Sequence, residues 1–457
     1  MRRSPKPPFE YRSAAPLTRR TFLGCAAAAA APLVIPSRLL GPGAPSNHLR
    51  IGSIGTGRMG TGDMMAVLQR GLDPRTPARI VAVCDLDQSR AEAARATVLD
   101  LYGKKLKEPA PDVRVYRDYR ELLARDDIDA VTISTPDHWH ALCAIAAANA
   151  KKAIYLQKPM TRTHAEGKAL VAAVRRNKVV LQVGSQQRSD ARFRHACELV
   201  RNGRLGKLQQ VHVFLPPDSG TGDPAQGPVP AGFDFDTWLG PTKVVPYAEK
   251  GVHPQSDANG KPDFSRPGWL QIERYCLGMI TGWGSHMNDI AQWGHGGDAD
   301  SGPVEIEAKA EFPERGLFDV HTTFEAHGRW ADGVELFQKT GNPAGVRFVG
   351  ERGWIFVQRG KIEADPKDVL DEKIEDGGVR LYQSADHYRN WLECARSGDE
   401  PICPVEVGHR SNTVCTITHI AMRLGRKLAW DPKAERFIGD DGANAMLDYD
   451  HRAPWTL

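Results

Sequence analysis

Apolar residues follow a regular alternation in the first half of the chain. From Leu49 to about residue 183, short apolar runs alternate with stretches in which apolar residues recur at helical spacing. The runs predict strands at 49–54, 80–84, 130–134, 153–156 and 179–183, with helices near 60–70, 88–101, 138–149 and 164–176. Strands that alternate with helices form a parallel sheet covered on both faces. The pattern therefore predicts a doubly wound α/β domain over 48–185.

The pattern changes after Gln186. A helix at 191–202 and a strand at 210–215 come before a stretch rich in Pro, Gly and Asp at 216–267, a length typical of a functional loop. A short helix at 285–293 follows. Alternating segments then predict strands at 304–312, 318–326, 333–338, 345–349 and 354–357, and two helices at 387–397 and 405–424. We expect a second, α+β domain over 186–429 with a largely antiparallel open sheet.

Two terminal segments stand apart from these domains. Residues 430–457 carry Trp430, Phe437 and Trp455 among polar residues, and we expect this tail to pack along the body of the protein. In residues 1–47, Arg19 and Arg20 precede an Ala-rich apolar run that is too short to span a bilayer. This order is typical of a twin-arginine signal. We therefore expect export by the twin-arginine machinery to the periplasm or another extracytoplasmic compartment, without stable membrane insertion; a basic tail on a cytoplasmic protein is the alternative.

Composition narrows the class of protein further. The chain has 457 residues, 41% of them hydrophobic, and a formal net charge of +4, part of which lies in residues 1–47. This small charge gives no electrostatic footprint for nucleic acid. The eight cysteines are widely spaced with no Cys-x-x-Cys pair, which argues against a disulfide framework and a structural zinc site.

A glycine loop follows the first predicted strand and opens the first helix. It contains Gly55, Gly57 and Gly60, with Arg58 and Met59 between them. In this context the glycines let the backbone approach a pyrophosphate at a helix N-terminus, as in a Rossmann dinucleotide-binding domain. Asp85 ends the second strand, where a carboxylate accepts hydrogen bonds from the adenosine ribose and repels a 2′-phosphate. We expect NAD in preference to NADP, a preference that Arg58 and Arg90 weaken; a glycine-rich turn with a capping aspartate is the alternative.

Polar segments follow two further strands, at the sheet edge where such folds bind ligands. One runs from Ser134 to His140 and the other from Gln157 to Pro159. Together with the glycine loop and the segment from Gly284 to Asp289, they resemble the glucose-fructose oxidoreductase, inositol dehydrogenase and rhizopine-catabolism (Gfo/Idh/MocA) family. The resemblance extends over nearly everything from Leu49 onward.

The resemblance implies a nicotinamide enzyme of sugars, and a homo-oligomer. It implies that Lys158 holds or protonates a substrate oxygen and that His286 is a general acid or base. Removal of a hydride from an alcohol carbon needs a base for the hydroxyl proton, and a cationic lysine stabilises the developing oxyanion. The expected cofactor contacts beside the glycine loop and Asp85 are Ser134, Thr135, Pro136, His138, His140, Gln157 and Lys158. We expect no metal, because a His-x-His pair near a helix start is more often a cofactor contact plus a surface residue.

The sequence departs from the family at two positions. Gln157 replaces the usual glutamate before the lysine, and Gly282 lies where many members carry an aspartate four residues before the histidine. Asp289, three residues after His286, lies on the same helical face and is a candidate to orient the imidazole. Tyr275 is a further catalytic candidate, because it precedes the catalytic helix.

The substrate-binding candidates come from the segments around that helix. They are Gln187, Arg188, Arg274 and Trp283. An aromatic ring suits the face of a sugar, and an arginine suits hydroxyls or a carboxylate. Arg188 could equally tie the two domains together.

These features favour an exported sugar or polyol oxidoreductase with tightly bound NAD. Outside the cytoplasm there is little free cofactor, so the hydride must return within the same enzyme, for example to a second sugar. The alternative is redox-neutral glycoside cleavage or epimerisation through a transient keto intermediate. A binding or scaffolding protein that has lost catalysis is a third hypothesis, against which Lys158 and His286 argue.

Overall fold

Two sheets and the helices on them make up the described part of the chain. The structure is a computed structural model that describes residues 48–106, 109, 111–298 and 300–457. The twin-arginine segment predicted within residues 1–47 lies outside these ranges. Within them, no helix is long and apolar enough to cross a membrane.

The first sheet has six parallel strands in the order β3-β2-β1-β4-β5-β6. The strands are β1 (Leu49–Ile54), β2 (Ala78–Cys84), β3 (Arg114–Tyr116), β4 (Ala130–Ile133), β5 (Ala153–Leu156) and β6 (Leu181–Val183). The helices between them are α1 (Arg58–Arg70), α2 (Gln88–Lys105), α3 (Tyr119–Leu123), α4 (Asp137–Asn149) and α5 (His164–Asn177). This strand order is that of the Rossmann fold, so the predicted fold of the first domain is confirmed.

The sequence pattern missed β3 because this strand is an edge strand of three residues. Arg114 is exposed, and Val115 and Tyr116 are half-buried. An edge strand packs on one side alone and needs no continuous apolar run. The strands inside the sheet are buried on both faces, and their apolar runs were visible in the sequence.

The second sheet has nine strands in the order β13-β12-β11-β7-β10-β9-β8-β14-β15. They are β7 (Leu208–Leu215), β8 (Glu305–Glu311), β9 (Thr323–Arg329), β10 (Glu335–Thr340), β11 (Gly345–Gly350), β12 (Gly353–Gln358), β13 (Lys361–Asp365), β14 (Leu428–Asp431) and β15 (Arg436–Phe437). Only β7 and β10 pair in parallel among these described strands. The predicted, largely antiparallel sheet is therefore confirmed.

Helices cover one face of the second sheet. The helices that follow β6 in the chain are α6 (Ala191–Arg201), α7 (Phe235–Leu239), α8 (Met279–Gly282), α9 (Gly284–His295), α10 (His387–Ser397), α11 (Val405–Leu424) and α12 (Asp441–Ala445). Of these, α6, α9 and α11 pack on the sheet around a core that includes Phe348 and Leu336, both fully buried. The strand predicted at 318–326 begins at Thr323 instead: Phe318 packs against the aromatic cluster of the preceding loop, and Val320 is a buried loop residue.

The chain returns to the first sheet near its end. Helix α10 packs against it through the fully buried Trp391 and Leu392. Residues 428–437 belong to the second sheet, where Trp430 and Phe437 are buried, so packing of a separate tail starts after them. The last residues reach α4, where Trp455 contacts Trp139 with ring centroids 4.9 Å apart.

Candidate active site

A cavity of about 990 Å³ opens at the carboxyl ends of the parallel strands. Its wall combines the glycine loop, the residues after β2, β4 and β5, the loop segment 265–270, and the start of α9. This is the crevice in which an open α/β sheet binds its ligand. Of the predicted residues, the cavity wall contains Gly55, Gly57, Arg58, Met59, Asp85, Ser134, Thr135, Pro136, His140, Gln157, Lys158, Gln187, Trp283 and His286.

The three glycines of the loop have three different roles. Gly55 has φ +81°, and a Cβ there would lie 2.7 Å from the carbonyl of Ser134. Gly60 lets α1 approach the loop, since its Cβ would lie 1.9 Å from the Gly55 oxygen. A Cβ on Gly57 would meet no described atom within 4 Å, although the residue lines the cavity. Open space beside Gly57 fits a ligand pyrophosphate at the start of the helix.

The two charged groups at the end of β2 and the start of α2 fit a ribose better than a 2′-phosphate. Asp85 faces the cavity while its Oδ2 accepts hydrogen bonds from the Thr56 backbone N–H at 2.7 Å and the Thr56 hydroxyl at 3.0 Å. Arg90 is buried and donates to the carbonyl oxygens of Pro254 and Asp263 at 2.6 and 2.7 Å. Its guanidinium is therefore already engaged, which leaves the Asp85 carboxylate to select for NAD.

Lys158 presents an unpaired ammonium group to the cavity. Within the described residues its Nζ forms neither a hydrogen bond nor an ion pair, and the side chain is half-buried in the cavity wall. Burial lowers the pKa of Lys158, and the neighbouring Asp137 opposes that shift. An unpaired cation at a substrate cavity can bind and stabilise a negatively charged oxygen.

A buried carboxylate lies behind Gln157 that the sequence analysis did not identify. Asp63 accepts hydrogen bonds from the Ser134 hydroxyl at 2.7 Å, the Tyr388 hydroxyl at 2.7 Å and Gln157 Nε2 at 3.1 Å. Gln157 Oε1 accepts from the backbone N–H of Lys158 at 3.0 Å. Gln157 therefore brings no charge of its own beside the lysine, and it links the lysine backbone to the carboxyl group of Asp63 on α1, whose pKa is raised by burial.

His286 lies at the same cavity as Lys158. It is 4% exposed, and its Nδ1 has no hydrogen-bond partner in the part of the chain described. Burial, with the nearby cations Lys158 and Arg359, holds the pKa of His286 well below its ordinary value. The imidazole is therefore neutral at physiological pH and able to accept a proton. Gly282 lines the cavity one turn earlier and brings no carboxylate.

Asp137 is a further carboxyl group at this site, and sequence analysis missed it. It lines the cavity at the start of α4, is 3% exposed, and its Oδ2 has no hydrogen-bond partner among the described residues. Burial raises the pKa of Asp137 to about 7, and the nearby Lys158 limits the shift. Its position in the Ser134–His140 segment was the available signal, but the histidines there appeared more informative.

Replacing Asp137 with asparagine is expected to stabilise the protein at pH 8 and to have a smaller effect at pH 5. The raised pKa means that the folded state favours the protonated carboxyl, so this contribution is present below about pH 4 and is lost as the pH rises through about 7. Asparagine stays neutral, so we expect a gain of about 2–4 kcal/mol in the free energy of unfolding at pH 8. Thermal unfolding at both pH values checks this. Equal unfolding midpoints of the two proteins at pH 8 would contradict it.

Arg188 and Asp289, predicted for substrate binding and catalysis, instead bind each other away from the cavity. Arg188 Nε and Nη2 each donate to the Asp289 carboxylate at 2.8 Å, and both side chains are almost fully buried. Asp289 also accepts from the Ser411 hydroxyl at 2.8 Å, and Arg188 forms an ion pair with Asp298 at 2.9 Å. The pair joins the segment after β6 to α9 and α11. This contact supports the alternative that Arg188 ties the two domains together. Asp289 binds Arg188 and does not orient His286.

Three other predicted residues lie outside the cavity wall. Tyr275 is buried against His138 and Trp238, with ring centroids 5.0 and 4.8 Å away. His138 is fully buried, and its Nε2 contacts the Trp238 carbonyl oxygen at 2.8 Å. Arg274 is half-buried beside the ring of Tyr275. Aromatic packing beneath the loop therefore explains all three positions, which the sequence analysis assigned to catalysis, cofactor binding and substrate binding.

His140 joins two of the strand-end segments. Its Nδ1 lies 2.7 Å from the Pro159 carbonyl oxygen and its Nε2 lies 3.0 Å from that of Thr135. Burial lowers the pKa of His140 to about 4, so the neutral ring donates to one of these oxygens. The contact fixes the position of the Lys158-Pro159 segment relative to the end of β4.

Gln187 and Trp283 are available to a substrate. Gln187 Oε1 is buried without a hydrogen-bond partner in the described ranges. The ring of Trp283 lies 6.2 Å from that of His286, and the guanidinium of Arg359 lies over it at 4.8 Å. An aromatic face beside His286 suits a sugar ring.

Away from the cavity, one cluster in the described ranges combines groups that bind metals. His164, His409 and Glu435 bring ligand atoms within 4.8 Å of one another. However, Glu435 already forms ion pairs with Lys168 at 3.3 Å and Arg410 at 2.9 Å. These two cations oppose a metal ion, and the cluster serves as a network joining α5 to α11.

The parallel sheet, the glycine loop and the cavity with Lys158 and His286 define a two-domain dinucleotide-binding protein of the oxidoreductase class. The chain belongs to the Gfo/Idh/MocA oxidoreductase family. Residues 49–185 match the family's NAD-binding Rossmann fold, and residues 218–457 match its C-terminal α/β domain.

Known relatives include inositol dehydrogenases. The chain is 27% identical over 372 residues to myo-inositol 2-dehydrogenase of Thermotoga maritima, covering 79% of this chain and 92% of that protein. It is 30% identical over 165 residues to inositol 2-dehydrogenase of Salmonella paratyphi B, covering 36% of this chain but only 45% of the relative. The WlbA dehydrogenase of Bordetella pertussis, solved with NADH and UDP-GlcNAcA, is similar in fold, with a TM-score of 0.60, 20% identity and coverage of 84% and 99%.

Proposed function

We propose that the protein is an NAD-dependent oxidoreductase of a sugar or polyol that keeps its cofactor bound and returns the hydride within the same site. The observation that carries this is the unpaired ammonium of Lys158 beside the neutral imidazole of His286 in one cavity with the glycine loop. His286 accepts the proton of a substrate hydroxyl, and Lys158 stabilises the oxygen that becomes a carbonyl. Bound NAD supplies the hydride acceptor.

Two features support retention of the cofactor. One is the twin-arginine motif at Arg19 and Arg20, and the other is the C-terminal tail beside the cavity. We propose that the protein is exported folded, with NAD bound, to an extracytoplasmic compartment. Trp455 lines the same cavity as Asp85, with the Arg120 guanidinium 5.3 Å from its ring centre. Arg452 donates to the Gly240 carbonyl oxygen at 2.9 Å and anchors this tail to the loop. A tail and a loop that close over the adenosine end would slow release of NAD.

Replacing Trp455 with alanine is therefore expected to speed release of bound NAD about tenfold or more, because the adenosine end loses an aromatic cover. Release is measured by trapping the freed nucleotide with an excess of a second NAD-binding protein. Leu457→Ala is the matched control, because Leu457 belongs to the same tail, is 44% exposed and does not line the cavity. An unchanged release rate for Trp455→Ala would contradict a role of the tail in retention.

We also propose that the protein is a homo-oligomer that pairs through the open face of the second sheet. This face carries a row of half-buried rings, with His212, Phe337 and His327 stacked at centroid distances of 4.9 and 4.7 Å. Such a row suits a second copy of the chain. Light scattering during size-exclusion chromatography measures the mass, and a monomer at micromolar concentration would contradict this arrangement.

One observation favours the redox-neutral alternative. Asp137, with a pKa raised by burial to about 7, adds a second proton-transfer group to the cavity that holds His286 and Lys158, and removal of a hydride needs only one base. A second group would suit removal of a proton next to a transient keto carbon, followed by elimination or epimerisation.

The two enzyme classes separate in one experiment. The NAD-loaded protein is incubated with candidate sugars and glycosides without an added acceptor, and absorbance of NADH and products are followed. A stoichiometric rise of NADH that then stops supports the oxidoreductase. Cleavage or epimerisation without a lasting rise supports the redox-neutral reaction, and neither change with any candidate would contradict both.

A further inference from the structure

Arg359 is a cationic group at the substrate end of the cavity that the reaction proposed above does not use. It lies in the turn between β12 and β13 and lines the same cavity as Lys158 and His286. Its guanidinium lies over the ring of Trp283 at 4.8 Å. Within the described residues it forms neither a hydrogen bond nor an ion pair. Apart from this contact with the indole, Arg359 is exposed, and its N–H groups are left free.

The other charges at this end do not neutralise Arg359. Lys158 is unpaired among the described residues, and Arg266 lines the same cavity, 3.8 Å from the buried carboxylate of Asp218. Among the nearby acids, Asp190 caps α6 and binds Arg192, and Asp137 is buried with a pKa raised to about 7 by that burial. Gly282 lies where many members of the family carry an aspartate, so that position adds no negative charge. The substrate end of the cavity therefore carries excess positive charge.

The position of the Arg359 guanidinium over the Trp283 ring also favours particular anionic groups. A guanidinium that is stacked on an aromatic ring keeps its edge free for two parallel hydrogen bonds, the arrangement that matches a carboxylate or a phosphate. Neutral hydroxyl groups form weaker hydrogen bonds with a guanidinium than anions do. A neutral polyol would also leave the charge of Arg359 unpaired.

We propose that Arg359 binds an anionic substituent of the sugar, so that the substrate class is an acidic sugar carrying a carboxylate or a phosphate. The proposal rests on the function proposed above, since it names the substrate of the same site. With the anion on Arg359 and the sugar face on Trp283, the reacting hydroxyl lies toward His286 and Lys158.

Direct binding tests this without turnover. The probes are matched triplets of a hexuronic acid, the hexose 6-phosphate and the neutral hexose, in the gluco, galacto and manno configurations, titrated calorimetrically into NAD-loaded protein. We expect at least one acidic member to bind about tenfold or more tightly than its neutral counterpart, because a charged hydrogen bond contributes about 1.5–3 kcal/mol. Preference for the uronic acid or the phosphate identifies which anion is recognised. If no acidic member binds more tightly than its neutral counterpart, the proposal is overturned.

Variants in the β12–β13 hairpin, which carries Arg359, complete the test. Arg359→Gln is expected to remove the preference for the acidic sugar and to leave the content of bound NAD unchanged. Lys361→Gln is the matched control, because Lys361 lies on the same hairpin and pairs with Glu363 on the surface. An unchanged preference in Arg359→Gln would overturn the assignment. If acidic sugars bind through Arg359 but no sugar is turned over, the inference about Arg359 holds and the proposed function fails. If neutral sugars alone are turned over, the proposed function holds and the inference about Arg359 fails.

Discussion

Replacing Lys158 with methionine is expected to reduce turnover by about 10³-fold or more. The ammonium is unpaired at the cavity among the described residues, and we propose that it stabilises the substrate oxygen. Removal of such electrostatic and proton-transfer contributions has effects of this size. Methionine keeps much of the side-chain volume, so the fold and the bound NAD should remain. The measurements are single-turnover absorbance of NADH, thermal unfolding, and nucleotide released on denaturation.

The control for this variant is an exposed lysine. Lys104 forms an ion pair with Asp100 on the surface of α2, and Lys104→Met should leave turnover at the wild-type rate. A Lys158→Met protein that keeps a tenth or more of the wild-type rate would remove the lysine from the mechanism. A variant that loses NAD together with activity would instead assign Lys158 to cofactor binding.

Breaking the buried pair between Arg188 and Asp289 is expected to have the largest effect on stability. Asp289→Leu leaves the buried guanidinium with the partly exposed Asp298 as its one remaining ionic partner among the described residues. Loss of one member of a buried ion pair lowers the free energy of unfolding by about 3–5 kcal/mol. The double replacement of Arg188 by Met and Asp289 by Leu removes both charges and should recover part of this loss. Thermal and denaturant unfolding of the three variants measure it.

A surface pair serves as the comparison. Replacing Asp100 by Leu, which breaks its pair with Lys104, should change the free energy of unfolding by less than about 1 kcal/mol. If Asp289→Leu unfolds like this control, the pair is not what joins the domains. If the double variant is stable but inactive, the hypothesis that Asp289 acts in catalysis is restored.

The first sheet was predictable because its signals are local. Strands buried on both faces need continuous apolar runs, and the glycine loop needs residues that allow a positive φ at Gly55 and close approach at Gly60. The edge strand β3 and the short strands β13 and β15 carry no such signal, because one side or most of their length faces solvent.

Residues of the candidate site were predictable only where a single sequence segment indicated their role. Lys158, His286 and Trp283 were found from their own segments, and all three line the cavity. The partner of Asp289 was not predictable, because helical spacing fixes which face a residue occupies but not which side chain meets it. Asp63 and Arg359 act near residues far away in the chain, so their roles appear only once the fold brings α1 and the β12–β13 turn to the cavity.

The nucleotide content of the purified, exported protein tests the central claim most directly. The protein is isolated from an extracytoplasmic fraction, passed through extensive gel filtration, denatured, and the released NAD and NADH are quantified. Retention and recycling predict about one nucleotide per chain, which requires a dissociation constant well below micromolar. Apoprotein that rebinds added NAD only with a micromolar or weaker dissociation constant would contradict an enzyme that oxidises and reduces the same bound nicotinamide.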